Sequence, residues 1–442
     1  MMKSKIKFKQ TEVGIIPNDW NVKTFGLLLN GKPRHGVYKP ENFFGEGTQI
    51  IKMGTHSSND FIHSGLIEDR VKLDNNELKR FQVFEKDLLF LRTSLVMEGT
   101  GKCSYIKKLL EPAVFVSNLI AVSINEKKAN PIFYYYFFKS PQGRNRVLSL
   151  CEQTAAATIR SSELSNLQVP YPEYSEQTLV ANILYGLDSK IELDHNINNL
   201  LEDIGKSIFK HWFIDFEFPN ENDKPYKSSG GKMIFDGRLG KKIPQGWKVG
   251  YFSKIIDINP KRELSKGKSA KKIGMADLNS WQSWIKNWNW NTYKSGSKFK
   301  NGDTLFARIT PSLEHGKTAF VSILDKDEVG FGSTEFIVFS KKIITSEFYI
   351  FHLSRTEEIR NAAISAMTGT SGRQRVPEDL FDHIPIVEPP SKLMDEFDKI
   401  CSSLFDKISN NAKSISLLVQ IRDSLITKLM SGKIRVITGD VK

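Results

Sequence analysis

The sequence predicts an α+β protein: two similar α+β modules separated by two long helices packed as an antiparallel coiled coil, with pseudo-two-fold symmetry. Three observations predict it. The first is an internal duplication. Ile16-Pro17-Asn18-Asp19-Trp20 returns as Ile243-Pro244-Gln245-Gly246-Trp247, and Asp87-Leu88-Leu89-Phe90-Leu91-Arg92 as Asp303-Thr304-Leu305-Phe306-Ala307-Arg308. Gly101-Lys102 returns as Gly316-Lys317, and Ile51-Lys52-Met53-Gly54 as Ile273-Gly274-Met275-Ala276. The offsets are 227, 216, 215 and 222, so small insertions separate the copies, and the repeat is far longer than a solenoid unit. The second is a heptad pattern after each module. The third is length: 442 residues give each module room for its own core.

The first module, about Pro17 to Pro172, mixes short apolar runs with Gly, Pro and Asn breaks. Asp87 to Leu91 and Leu119 to Val122 read as buried strands, within longer apolar stretches such as Phe115 to Ile124. Pro131 to Phe138 reads as a helix with proline at its first turn. The echo runs from about Ile243 to Pro390, with Ile337-Val338-Phe339 expected to match Ala121-Val122-Ser123.

In the first helix Val180, Leu184, Leu187, Ile191, Asp194, Asn198, Leu201, Gly205, Ile208 and Trp212 follow a 4-3 spacing. In the second, Phe397, Cys401, Leu404, Ile408, Asn411, Ile415, Leu418, Arg422, Leu425 and Leu429 repeat it at a constant offset of 217. An insertion would rotate one apolar seam away from its partner, so a matched pair of helices resists insertion. Each helix should run roughly 35–40 residues, about 55–60 Å at 1.5 Å per residue, and the economical way to bury the seams is against each other. The polar seam residues either fix register, contact another protein, or are tolerated at a partly exposed position. Between Phe218 and Lys242 the chain is polar and rich in Gly, Pro and Ser, which predicts a surface connector. A short mixed tail, Ser431 to Lys442, is expected to be loosely ordered. The expected domains are therefore 1–174, a helix over 175–218, a connector over 219–242, a second module over 243–390, and a helix with tail over 391–442.

Hydrophobic residues make up 40% and charged residues 26%, as in ordinary globular proteins. The net charge of +13 favours polyanions, nucleic acid first among them, although a plain solubility bias is the alternative. Three scattered cysteines suggest a reducing compartment. With no leader-like apolar segment and no run of 18 apolar residues, a cytoplasmic location is expected, with no membrane partner.

Three segments carry a resemblance to a known family. They are Trp212-Phe213-Ile214-Asp215-Phe216-Glu217-Phe218-Pro219, then Lys224-Pro225-Tyr226-Lys227-Ser228-Ser229-Gly230-Gly231-Lys232-Met233, then Leu239-Gly240-Lys241-Lys242-Ile243-Pro244-Gln245-Gly246-Trp247. Together with the module–helix–module–helix order they resemble the DNA-specificity (S) subunit of type I restriction–modification systems. Glu176-Gln177 fits the acidic-Gln helix opening of that family, whereas Ser391-Lys392-Leu393-Met394 departs from it and leaves the start of the second helix open. The resemblance implies a subunit without chemistry of its own. Its two modules are target recognition domains, each reading half of a split site in double-stranded DNA. The helices set the spacing and dock two modification (methyltransferase) subunits, and restriction (translocase/nuclease) subunits join them. S-adenosylmethionine, ATP and Mg belong to those partners, and the chain itself is expected to hold no cofactor and no metal.

The residues agree with a non-catalytic reading. Glu388-Pro389-Pro390-Ser391 lacks the amide and aromatic of a base-holding turn. Gly99-Thr100-Gly101-Lys102-Cys103 departs from a phosphate loop at both ends, and its twin has Pro311 where the first glycine belongs. The eight histidines and three cysteines show no metal-ligand spacing. An enzyme with its own nuclease or methyltransferase site, and a scaffold for non-DNA partners, are the competing readings.

For DNA contacts, lysine and arginine supply affinity and a few groove-facing side chains supply specificity. Arg92 and Arg308 end the repeated strand and precede the loops bearing Lys102 and Lys317; their alternative is an internal salt bridge to Asp87 or Asp303. Shared residues suit backbone contact or folding, so the unshared segments are better base readers: Lys32, Arg34 and Lys39 in the first copy, Lys261, Arg262 and Lys286 in the second. Arg160, Arg373 and Arg375 are further loop candidates. Lys286 lies within Trp281 to Asn291, whose four tryptophans are expected chiefly in the core; Asn and Gln pair well with adenine edges.

Overall fold

The computed structural model describes residues 7–153, 157–342, 345–370 and 372–436. The chain forms two compact units, residues 1–190 with 418–442 and residues 191–417. Ser371 of one candidate loop and residues 437–442 of the expected tail lie outside the described residues.

In unit 1 a five-stranded sheet is built from β1 (Arg34–His35), β2 (Phe61–Ile62), β3 (Leu88–Leu91), β4 (Cys103–Ile106) and β5 (Leu119–Val122), in the order β1-β5-β3-β4-β2. Every residue of β3, β4 and β5 is buried, as a continuous apolar run requires. A second, four-stranded sheet uses Arg70–Val71, Phe44–Ile51, Ala113–Phe115 and Gln82–Val83 in that order, with the central pair parallel. Helix α1 (Pro131–Lys139) starts on the Asn130 side chain, which accepts from the amides of Ile132 and Phe133, with Pro131 in the first turn. Its aromatic run is buried, and Tyr134 donates its hydroxyl to Pro170 O at 3.0 Å.

Unit 2 repeats this plan. Strands β6 (Ile256–Ile258), β7 (Thr304–Ala307), β8 (Thr318–Phe320) and β9 (Phe336–Lys341) are ordered β6-β9-β7-β8, matching β1-β5-β3-β4. The four-stranded sheet returns as Asn289–Thr292, Ser269–Ile273, Gly330–Gly332 and Lys298–Phe299, again with a parallel central pair. Helix α3 (Glu347–Ser354) is capped by Ser346, and Tyr349 donates to Val387 O at 2.7 Å. Register corrects one expected match. Leu89 faces Ala121 and Leu305 faces Val338, so 337–339 corresponds to 120–122. An unbroken apolar run carries no internal mark of register.

Two helices dominate: α2 (Tyr174–Phe209), 36 residues, and α4 (Ser391–Met430), 40 residues. They begin at twin positions, which fixes the start of α4 at Ser391. Each unit takes a part of both helices. In unit 2, Asn198 meets Asn411, Gly205 lies under Leu404 and Phe209 meets Phe397, so rising numbers on α2 pair with falling ones on α4 and the helices run antiparallel. In unit 1, Asp188 pairs with Arg422 at 2.6 Å, and Val180 and Leu184 join a cluster with Ile426 and Leu429. Leu184, Ile191, Ile408 and Ile415 are buried, and Leu187, Leu201, Ile208, Leu404, Leu418 and Leu425 are half-buried.

The segment after each helix closes over a tryptophan of its unit. A π-turn (Lys210–Ile214) extends α2, and Phe218 stacks on Trp247 at 5.1 Å and on Tyr226 at 4.6 Å. The connector therefore folds onto unit 2 and contains the strand Met233–Asp236, paired with Lys241–Pro244. In unit 1, Arg435 binds Glu176 and Asp19, and Glu176 accepts Trp20 Nε1 at 3.0 Å. No helix among the described residues is long and apolar enough to cross a membrane.

Candidate nucleic-acid interface

Each module carries the same buried polar lock. Arg34 on β1 reaches Asp87, and its Nη2 lies 3.0 Å from Ser123 Oγ; Ser123 donates to Asp87 Oδ1, and the Phe84 amide donates to Oδ2 at 2.8 Å. In the other copy Arg262 Nη2 reaches Asp303 Oδ1 at 2.9 Å, Oδ2 at 3.0 Å and Ser340 Oγ at 2.9 Å, and the Lys300 amide donates to Asp303 at 2.7 Å. Asp87 and Asp303 are 1% and 2% exposed. Burial pushes both carboxyls above the ordinary aspartate value, and the arginine, serine and amide contacts oppose it. The repeated aspartate marks this lock.

The lock corrects the expected ion pairs. Asp87 and Asp303 are bound by Arg34 and Arg262, not by Arg92 and Arg308. Arg308 instead pairs with Glu378 and donates to Val376 O at 2.7 Å, and Arg92 holds a buried Nε without a partner. The strand order puts β1 beside β5, which carries Arg34 to Asp87 across 53 residues of sequence.

The shared Gly-Lys turns also serve the fold. Gly101 and Gly316 have φ of +70° and +72°, a left-handed conformation that glycine adopts freely. Lys102 donates to Ser57 O and Lys317 to Met275 O, at 2.8 Å in the second case. Each lysine ties its loop to the short helical segment that follows the strand ending at Ile51 or Ile273.

The remaining candidates differ in their surroundings. Lys39 pairs with Glu77 and Arg375 grips Glu335 with two nitrogens. Lys32, Arg160, Lys261, Lys286 and Arg373 are exposed. Arg262 and Lys261 line an open basin of about 450 Å³ together with Asn259 and Lys298. Of the four tryptophans expected chiefly in the core, only Trp284 is buried. Trp281, Trp288 and Trp290 are 53%, 41% and 58% exposed. Sequence reasoning passed over Lys266, Lys268, Lys272 and Lys294, all on or beside the Ser269–Ile273/Asn289–Thr292 pair. The signal was present. From Asn259 to Asp303 there are ten basic and three acidic residues, whereas Gly31 to Asp87 of the first copy holds nine of each. Among the described residues, no group of His, Cys, Asp and Glu is arranged to hold a metal.

This arrangement, two copies of one α+β module sharing an internal lock but not a surface, and joined by antiparallel helices, fits a two-part reader of a long polymer better than an enzyme cleft. Known proteins agree. Residues 17–203 match the type I restriction modification DNA specificity domain. The MjaIX specificity subunit of Methanocaldococcus jannaschii is 24% identical, covering 97% of each chain. The HindI specificity subunit of Haemophilus influenzae is 21% identical over 87% of this chain and 94% of its own. The crystal structure of the S subunit from M. genitalium shares the fold at a TM-score of 0.54 and 14% identity, over 97% of both chains. Residues 17–203 thus carry the type I restriction modification DNA specificity domain, and over nearly its whole length the chain is similar to type I restriction enzyme specificity subunits.

Proposed function

We propose that this chain reads a bipartite, asymmetric duplex target. The module within 1–174 takes one part and the module within 243–390 the other, while the helices over 175–218 and 391–442 set the gap between them. The observation that carries this reading is the twin Arg–Asp–Ser lock: the interiors of the modules are the same and the loops around them differ, as two readers of two different sequences require. The helices dock modification subunits, two of them if the twin faces are equivalent, and those partners hold S-adenosylmethionine; restriction subunits hold ATP and Mg. Exposed Lys32, Arg160, Lys261, Lys286 and Arg373 contact DNA directly. Arg34, Lys39, Arg92, Lys102, Arg262, Arg308, Lys317 and Arg375, largely engaged within the protein, shape the loops that do.

Four residues inserted after Leu201, and four after Leu418 to keep the twins matched, test the spacer. Methylome sequencing of cells carrying the altered complex should show both half-sites unchanged and a longer gap. A changed half-site, or a continuous motif, refutes it. The isolated chain should transfer no methyl group from labelled cofactor; measurable transfer refutes the division of labour.

A further inference from the structure

The two modules share a fold but not a charge distribution, and the difference is concentrated in one place. From just before the lock arginine to the lock aspartate, residues 31–87 and 259–303, the first module is neutral and the second carries a net +7. The first module also spends six of its nine cations internally. Arg34, Lys39, Lys52, Arg70, Lys72 and Lys86 each pair with a carboxylate. In the second, Arg262 and Lys271 pair with carboxylates. Among the described residues, Lys261, Lys266, Lys268, Lys272, Lys286, Lys294 and Lys300 have no ion-pair partner.

These free lysines surround a ribbon. Ser269–Ile273 pairs antiparallel with Asn289–Thr292, which forms the sheet edge and is exposed at all four residues. Trp288 and Trp290 stand next to each other at the edge, 6.1 Å apart and edge-to-face, over the buried ammonium of Lys271 at 5.0 and 5.7 Å. Asp325 and Glu328 hold that ammonium in place from below. The rings are thus fixed yet open to solvent. Asn287, Asn289 and Asn291 alternate with them and are exposed. Lysines also blunt sheet edges against stray pairing, but one or two suffice for that, and large exposed rings work against it. A two-stranded ribbon fits the major groove of duplex DNA, where asparagine pairs with adenine and lysines flank the phosphates.

We infer that the second module inserts the 269–292 ribbon into a groove of duplex DNA, with Trp288, Trp290 and the asparagines at the bases, and that its unpaired lysines supply most of the salt-dependent affinity of the whole subunit. The first module contributes specificity with little of the phosphate attraction. The inference rests on the DNA-reading role above and adds an unequal grip.

The test uses the chain assembled with its modification subunits and a fluorescein-labelled mixed-sequence duplex. The duplex is titrated across a range of salt concentrations. One variant carries Lys266→Gln, Lys268→Gln, Lys272→Gln and Lys294→Gln. Its counterpart carries the same charge loss at paired cations of the first module: Lys39→Gln, Lys52→Gln, Lys72→Gln and Lys86→Gln. Each lost phosphate contact lowers the slope of log K against log salt by about 0.9. The ribbon variant should lose roughly 2–4 units of slope, and the other fewer than one. Lysine-to-arginine changes at the four ribbon sites should restore the slope, which excludes a folding defect. Trp288→Ala with Trp290→Ala should weaken binding without changing the slope, and duplex should quench tryptophan emission in the parent but not in this variant. Equal loss of slope in the two lysine variants overturns the inference. So does a ribbon variant that keeps its duplex slope, even if it loses affinity for single-stranded RNA. Failure of the parent complex to bind any duplex would instead refute the DNA-reading role itself.

Discussion

Asn411 donates from Nδ2 to Asn198 Oδ1 at 2.8 Å inside the helix seam of unit 2, and Asn198 in turn approaches Ile408 O at 3.4 Å. The two residues are 4% and 0% exposed. Replacing Asn411 by Leu leaves the Asn198 amide buried without its donor, which costs about 1–3 kcal/mol. For a cooperative unit of this size each kcal/mol moves Tm by about 2–4 °C, so a fall of roughly 3–10 °C is expected. Asn198→Leu should cost a similar amount. The double variant replaces both polar groups by packed hydrocarbon and should lie within about 1 kcal/mol of the parent. A double-mutant cycle by urea denaturation therefore predicts a coupling of at least about 1 kcal/mol. The register lock should be lost even though stability returns, so the complex assembled with the double variant should methylate sites of more than one gap length. Additive single effects, or a double variant less stable than either single one, would refute the reasoning.

Two further outcomes follow from buried groups. His56 and His352 are held neutral by burial, with values near 4 and near 3 against about 6.5 in the unfolded chain. Between those limits the unfolded chain binds the extra proton, so stability falls as pH drops below about 6.5, by up to about 1.4 kcal/mol per pH unit for each histidine. Denaturation midpoints of His56→Gln and His352→Gln should show a shallower decline between pH 6.5 and 4.5; a slope identical to the parent's would sink this account. At Gly143 a Cβ would lie 2.0 Å from Phe137 O, so Gly143→Ala should lower Tm by several degrees, and an unchanged melting curve would contradict the packing between α1 and the helix that follows it.

The helices were legible because the seam has a period of its own and both copies keep it without insertion. The modules were legible as modules because the repeated Asp-x-Leu-Phe-x-Arg strand lies at the centre of both five- and four-stranded sheets. What was not legible depended on contacts distant in sequence. Arg92 stands five residues from Asp87 and looks like its partner, but strand order delivers Arg34 instead. The match of Ile337 was off by one residue because a fully buried strand offers no alternation to fix register. Trp288 and Trp290 misled for a related reason: their size suggests a core, yet beside and on an edge strand they remain 41% and 58% exposed. Lysine density between 259 and 303 was in plain view, but its meaning required knowing that the matching cations of the first module are neutralised.

The twin locks and the unequal surfaces have one physical origin. A buried aspartate that loses its arginine is left as an uncompensated charge, at a cost of several kcal/mol, so the lock is bound to remain in both copies. An exposed pair such as Lys72–Glu46 contributes little to stability, because solvent screens it. Removing its acidic member costs the fold almost nothing and releases a cation to solvent. Surface charge can therefore change from neutral to strongly basic by loss of acidic residues alone, with sheet order, register and core untouched. That is the difference between 31–87 and 259–303, where the basic residues number nine and ten but the acidic ones nine and three. A scaffold with so large a gap between interior and surface costs can acquire a new DNA preference in one module while the other, and the helices between them, stay as they were.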